Sequence, residues 1–223
     1  MSLTSERLSR ITLDNVIPDV FTREDVGASQ IWLRDFSFER GKHYLVEAAS
    51  GSGKSSMCSF IYHNRGDYRG SIRYDNRDAR SLTADEISQL RCRHIALLPQ
   101  ELRLFGELTA IDNVRLKNNL TGHFSEDDIR DMFDRLGIAD RADRQASQLS
   151  IGQMQRVALI RALCQPFDFI LLDEPVSHLD ETNNLIVARL ISEVADSLGA
   201  AIIATSVGNH LMLPGNDIVH LKL

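Results

Sequence analysis

Cysteine is scarce in this chain: three in 223 residues, at Cys58, Cys92 and Cys164. They are odd in number, far apart and in no metal-ligand spacing. A disulfide framework and a cysteine zinc site are therefore excluded, and a reduced, cytosolic protein is expected. A surplus of positive charge is also lacking. Lysine plus arginine total 25 against 31 aspartates and glutamates, a net charge of −6. Sequence-independent nucleic-acid binding needs a basic face, so no nucleic-acid partner is expected. Arginine far outnumbers lysine, which leaves room for a local basic patch. No apolar run approaches the roughly 20 residues needed to cross a bilayer. The start, Met1 to Arg10, is polar with no apolar centre and is not expected to be a signal peptide. Internal repeats and low-complexity segments are absent from the sequence. What remains is ordinary for a soluble globular chain, with 43% hydrophobic and 25% charged residues. The length suffices for one sizeable core, or one core with a lobe attached.

Early short apolar runs alternate with turn residues. Ile11-Thr12-Leu13, the stretch from Ile31-Trp32-Leu33 through Phe36-Ser37-Phe38, and 70–74 read as strands of a mostly antiparallel piece. Four runs are almost continuously apolar: 44–48, 94–98, 169–172 and 200–204. Buried parallel strands have this character, because helices cover both their faces. Thr83 to Glu86 offers a capping box for a helix toward Leu90. Ser125 can cap a helix to Leu136, whose Ile129, Met132, Phe133 and Leu136 fall on one face before the stop at Gly137. Ser150 can cap a helix to about Cys164, and Asp180 one to Leu198 ending at Gly199. Strands alternating with helices imply an α/β domain. Residues 101–165 hold helices and no convincing strand, and read as a helical lobe inserted between core strands.

Ser50-Gly51-Ser52-Gly53-Lys54-Ser55-Ser56 directly follows the apolar strand, and Met57 to Tyr62 continue as helix-compatible sequence. Strand, glycine loop and helix in that order make a phosphate-binding loop. Its glycines turn backbone N–H groups inward, and the following helix N-terminus adds partial positive charge. Lys54 would reach the β- and γ-phosphates, and the Ser55 hydroxyl would join a Mg²⁺ shell. A flexible turn carrying a solvated lysine is the bland alternative. Downstream, Phe167 to Leu172 ends in Asp173-Glu174-Pro175. Carboxylates at the end of a buried parallel strand stand where α/β folds bind ligands. Asp173 would hold Mg²⁺ through water, and Glu174 would orient or deprotonate an attacking water. A strand ending in a polar turn is the alternative.

Between these two motifs lies Leu149-Ser150-Ile151-Gly152-Gln153, which resembles the Leu-Ser-Gly-Gly-Gln signature of ABC-type ATPases. Gln100 resembles that family's Q-loop glutamine, and Ser177-His178-Leu179-Asp180 its D-loop. The resemblance covers nearly the whole chain. The segments Leu90–Ile95 and Leu108–Val114 are similar to the subgroup serving lipoprotein release, macrolide export and cell division. The family likeness implies a P-loop, RecA-like α/β core with an antiparallel β subdomain and an inserted helical subdomain. Residues 1–223 would form one such domain, with 1–100 and 166–223 as core and β subdomain and 101–165 as the helical subdomain. It implies that ATP and Mg²⁺ bind and that ATP is hydrolysed. Two domains would pair head to tail, as a homodimer or with a paired ATPase domain, each phosphate loop facing the other chain's Ser150, Gly152 and Gln153. Gln100 would sense Mg²⁺ and water, and Phe21 would stack on adenine where the family has tyrosine; a core aromatic is the alternative for Phe21.

Three positions depart from the family pattern. Ala48 replaces the first glycine of the phosphate loop. Ile151 replaces the first of the two signature glycines. Ser206 stands where the switch histidine belongs, with His210 four residues on. The site expected from the sequence therefore takes Glu174, Gln100 and Ser206 as catalytic, with hydrolysis slowed by Ser206. The resemblance implies the ATP-binding subunit of an ABC transporter or transporter-like complex, cytoplasmic and peripheral on the inner face of the membrane, with a separate transmembrane permease. Leu102, Leu104, Phe105 and Leu108 would receive the permease's coupling helix, or be buried under the lobe. The alternative is a poorly hydrolysing regulatory module that dimerises with nucleotide.

Overall fold

A computed structural model describes residues 7–223 of the chain. Residues 1–6 of the polar start discussed above lie outside the described residues. Two sheets organise the molecule. The first is antiparallel, in the order β2 (Asp35–Glu39), β1 (Arg10–Pro18), β4 (Tyr68–Tyr74), β5 (Arg77–Asp78). The second is parallel throughout, in the order β6 (Ile95–Leu98), β7 (Phe169–Asp173), β8 (Ala201–Ser206), β3 (His43–Glu47), β9 (Ile218–Lys222).

Alternation along the parallel strands divides the interior in two. Leu45, Leu98, Ile170, Leu172, Ile202 and Ala204 point into one core, shared with α3 (Ala110–Asn118), α4 (Glu126–Arg135), α5 (Ile151–Leu163) and α6 (Glu181–Leu198). Tyr44, Val46, Ile95, Phe169, Leu171 and Ile203 point into the other. That second core contains Met57, Phe60 and Ile61 of α1 (Lys54–Ile61), Leu90 of α2 (Ala84–Arg93), and Ile11, Leu13, Phe38 and Ile72 of the antiparallel sheet. With both faces covered, neither needs polar residues, which is why these strands read as continuous apolar runs. The expected α/β fold, with one parallel and one antiparallel sheet, is the one observed.

The helix ends follow their sequence signals. Thr83, Ser125 and Ser150 each close a capping box, Asp180 caps α6, and Gly199 ends it in the left-handed conformation. One strand expectation fails. Ile31-Trp32-Leu33 is a turn, and the strand begins only at Asp35. The Ser29 hydroxyl accepts from the amides of Ile31 and Trp32, at 3.1 and 2.7 Å, and Leu33 has φ 55°. A side-chain oxygen thus takes the donors a neighbouring strand would have used. His94 likewise belongs to the end of α2, and its strand starts at Ile95.

Candidate functional site

β7, β8 and β3 lie side by side, in the register Asp173 to Thr205 and Glu47 to Ser206. Their carboxyl ends therefore bring Asp173-Glu174, Thr205-Ser206 and the loop after Glu47 into one row. The loop curls through two left-handed glycines, Gly51 at φ 81° and Gly53 at φ 95°. Gly53 has a second constraint: a Cβ there would lie 3.1 Å from Phe21 and 3.3 Å from Trp32. Ala48 is not in the left-handed region, so its methyl group costs no backbone strain; its amide donates to the Ser206 carbonyl at 3.2 Å. No side chain caps α1, which leaves its first N–H groups facing the loop's concavity.

Into that concavity reaches Lys54, only 5% exposed. Its Nζ donates to the Ala49 carbonyl at 3.0 Å and stands 3.5 Å from Glu174 Oε1. The Ser55 hydroxyl donates to Gln100 Oε1 at 3.4 Å. Asp173 is buried beneath, and its Oδ1 accepts from the Thr205 hydroxyl at 2.8 Å. Burial, with the Asp173 charge beside it, holds the Cys58 thiol well above its ordinary range, so Cys58 is inert packing. Glu174 has φ 53°, held there by its amide bond to the Thr205 carbonyl and by Gln155 Nε2, which donates to the Glu174 carbonyl at 3.2 Å. A left-handed glutamate turns its carboxylate toward Lys54 instead of along the strand.

These groups enclose a cleft of about 290 Å³. Phe21, the loop residues Ser50, Gly51 and Gly53, Lys54 to Ser56 of α1, and Gln100 and Glu174 line it. Uncapped amides, a buried lysine and inward glycines suit a polyphosphate; the hydroxyl of Ser55, the amide oxygen of Gln100 and the carboxylate of Asp173 suit a hard divalent cation. The donor set thus fits both ATP and Mg²⁺.

Other expected site residues lie apart from this cleft. Ser150, Gly152 and Gln153 do not line it. The Ser150 hydroxyl and the Gln153 side chain are occupied with capping α5, while Ile151 is 48% exposed beside them. Gly152 packs close to the D-loop: a Cβ there would lie 3.5 Å from the His178 carbonyl. Ser206 is buried, and its hydroxyl is 2.7 Å from His210 Nδ1. Four contributors escaped the sequence reading. Trp32 donates from its indole to the Ser52 carbonyl at 3.1 Å; Thr205, Gln155 and Glu47 brace the strand ends. Trp32 was hidden in an expected strand, Gln155 lies in the stretch that carries the signature but was given no role, and Thr205 and Glu47 carry no motif; only the position of Thr205 opposite Asp173 would have marked it.

A family model described as "ABC transporter" matches residues 34–177. A Macrolide export ATP-binding/permease protein MacB from Rhodopseudomonas palustris is 38% identical over 184 residues, 80% of this chain and 28% of that protein. The chain thus spans under a third of that relative's length. Among solved structures, the dimeric structure of MJ0796, described as a bacterial ABC transporter cassette, has a TM-score of 0.75 at 28% identity, over 95% of this chain and 94% of that one. A dimeric post-hydrolysis state of MJ0796 bound to ADP and Pi has a TM-score of 0.73 at 26% identity, covering 89% and 88%.

Proposed function

The chain belongs to the ABC transporter family, and from that premise we propose that it is the ATP-binding subunit of a transporter or transporter-like complex, driving a separate transmembrane permease from the cytoplasmic face. Cassettes of this family are ATPases. Among the described residues, no helix is long and apolar enough to cross a membrane. The relative's printed name joins an ATP-binding part to a permease, which supports the permease partner.

The observation that carries the reading is the row of strand ends. Lys54, buried in an uncapped glycine loop, faces Glu174 across 3.5 Å. In the proposed reaction Lys54 and the loop amides bind the phosphates, and Ser55, Gln100 and Asp173 hold Mg²⁺. The cation supplies neutralisation of charge developing on the phosphate oxygens. Glu174 orients the attacking water and takes its proton. Phe21 offers its ring to the base. Ser150, Gly152 and Gln153 face the nucleotide of a second cassette, to which the α5 N-terminus offers the amides of Ile151 and Gly152. Hydrolysis is slow, because Ser206 is short and has no cationic form. Phe105, 56% exposed, is the apolar residue open to a coupling helix; Leu102 is buried.

Calorimetry with MgATP tests the reading. The native chain binds, and Lys54→Ala reduces binding to near nothing, since among the described residues lining the cleft Lys54 is the cationic side chain. Unchanged affinity in that variant removes the phosphate-loop assignment. The replaced switch histidine favours one second reading, a regulatory module that binds and dimerises with ATP but hardly turns it over. Stimulation of turnover by a co-purifying membrane protein separates the two.

A further inference from the structure

We propose that His210 is a positioning residue for the hydrolytic step, acting through Ser206, so that the row Glu47–His210–Ser206 stands in for the absent switch histidine. This rests on the nucleotide-site reading above. Its basis is geometry. His210 Nδ1 is 2.7 Å from the Ser206 hydroxyl, and its Nε2 is 3.8 Å from Glu47 Oε1. Glu47 and Ser206 are register partners at the ends of adjacent strands. The turn that carries His210 is fixed independently of this contact. Asn184 of α6 donates to the His210 carbonyl at 2.8 Å and accepts from the Met212 amide at 3.0 Å, and Asn209 donates to the Val176 carbonyl at 2.9 Å. The ring is therefore held by backbone anchors at the place where the short serine side chain ends.

The charged and titratable groups around the ring are few. Glu47 faces it from β3. His220 and Lys222 of β9 share a neighbouring cleft of about 470 Å³ with it. From α6, the uncharged Asn184 bonds the His210 carbonyl.

The two states of the imidazole treat Ser206 oppositely. In one neutral tautomer the ring proton is on Nε2. Nδ1 is then an acceptor, and the Ser206 hydroxyl spends its proton on it. In the imidazolium, Nδ1–H donates to the Ser206 oxygen. The serine proton is then free to donate, through a bridging water, toward a γ-phosphate oxygen as negative charge builds there. Glu47 supports the cation. The bonds of hydrolysis are unaltered: the water oxygen joins the γ-phosphorus, the bridging P–O bond breaks with its electron pair left on ADP, and the water proton goes to Glu174.

The test is kcat against pH at saturating MgATP, on the full chain, with nucleotide affinity measured separately. Native kcat falls as pH rises across the imidazole range, roughly pH 5.5 to 8. His210→Ala lowers kcat at the acid end by about tenfold and flattens the profile, while affinity stays within about twofold. His210→Gln provides a permanent side-chain donor to Ser206, so its profile is flat and lies above that of His210→Ala. A native pH dependence retained in His210→Ala, or one lowered by the same factor at every pH, overturns the proposal. Should His210→Ala fail to fold, an alkaline fall retained in His210→Gln overturns it alone. Binding of MgATP without turnover at any pH overturns the relay and leaves the nucleotide site standing; absence of binding overturns both.

Discussion

At the end of β8 stands Ser206, and under the proposed function, where the family resemblance implies an imidazole there, the difference is one of reach and charge. The Ser206 side chain is too short to cross from the strand end to a phosphate without movement or water, and it has no cationic form. Loss of one well-placed group that stabilises a developing charge costs on the order of 10²–10³ in rate. Binding is spared, because Lys54, the loop amides and the cation ligands are untouched by the change. Ser206→His is therefore expected to raise turnover at saturating ATP by roughly tenfold or more while leaving affinity nearly constant. Steady-state kinetics on the purified chain decide it. No gain in kcat moves the limit elsewhere, with Ile151 in the signature the first place to look.

At the scale of elements, β1 and β4 show how one glycine fixes a sheet. Their register shifts between Asp14 and Ile17, and Asn15 sits at φ 50° inside that bulge. Gly70 faces it at φ 88°, where a Cβ would stand 2.4 Å from the Asn15 carbonyl oxygen. Both the backbone angle and the contact exclude a side chain. Gly70→Ala is expected to destabilise the fold by about 2 kcal/mol or more, read as a lowered midpoint in denaturant; an unchanged midpoint would show that the bulge relaxes freely. That glycine was legible only as part of a strand, for nothing in the spacing announces a bulge. The same limit explains the other gaps. The four apolar parallel strands were readable because both faces are buried. β9 was not, since Val219 and His220 are exposed and only Leu221 is buried. Phosphate loop, acidic strand end and helix caps were readable because each depends on a local run of residues. The contacts of Trp32, Thr205 and Gln155 were not, because they join segments distant in sequence.

For the whole molecule, the candidate groups fall into two sets that one chain does not join. Lys54, Ser55, Gln100 and Glu174 line one cleft. Ser150, Gly152 and Gln153 cap a different helix, against the D-loop, with two first-turn amides left over. An anion site whose amides face outward is completed by a ligand brought from elsewhere. Two copies turned head to tail supply each other's missing half, and the matching solved cassettes are dimeric. Nucleotide would then act as the adhesive, and its hydrolysis as the release. Glu174→Gln separates these events. The amide keeps the shape of the side chain but cannot take a proton from water. It also removes the negative charge now 3.5 Å from Lys54, so the lysine meets the phosphates with no competing carboxylate. The variant is expected to bind MgATP at least as tightly as the native chain, to lose nearly all turnover, and to run as a dimer with ATP and a monomer without it. Size-exclusion chromatography with light scattering, with and without MgATP, reads the outcome. Native turnover in the variant would free Glu174 from its role. A monomer at saturating ATP would mean that the signature helix of this chain meets its nucleotide only when a further subunit holds the two cassettes together.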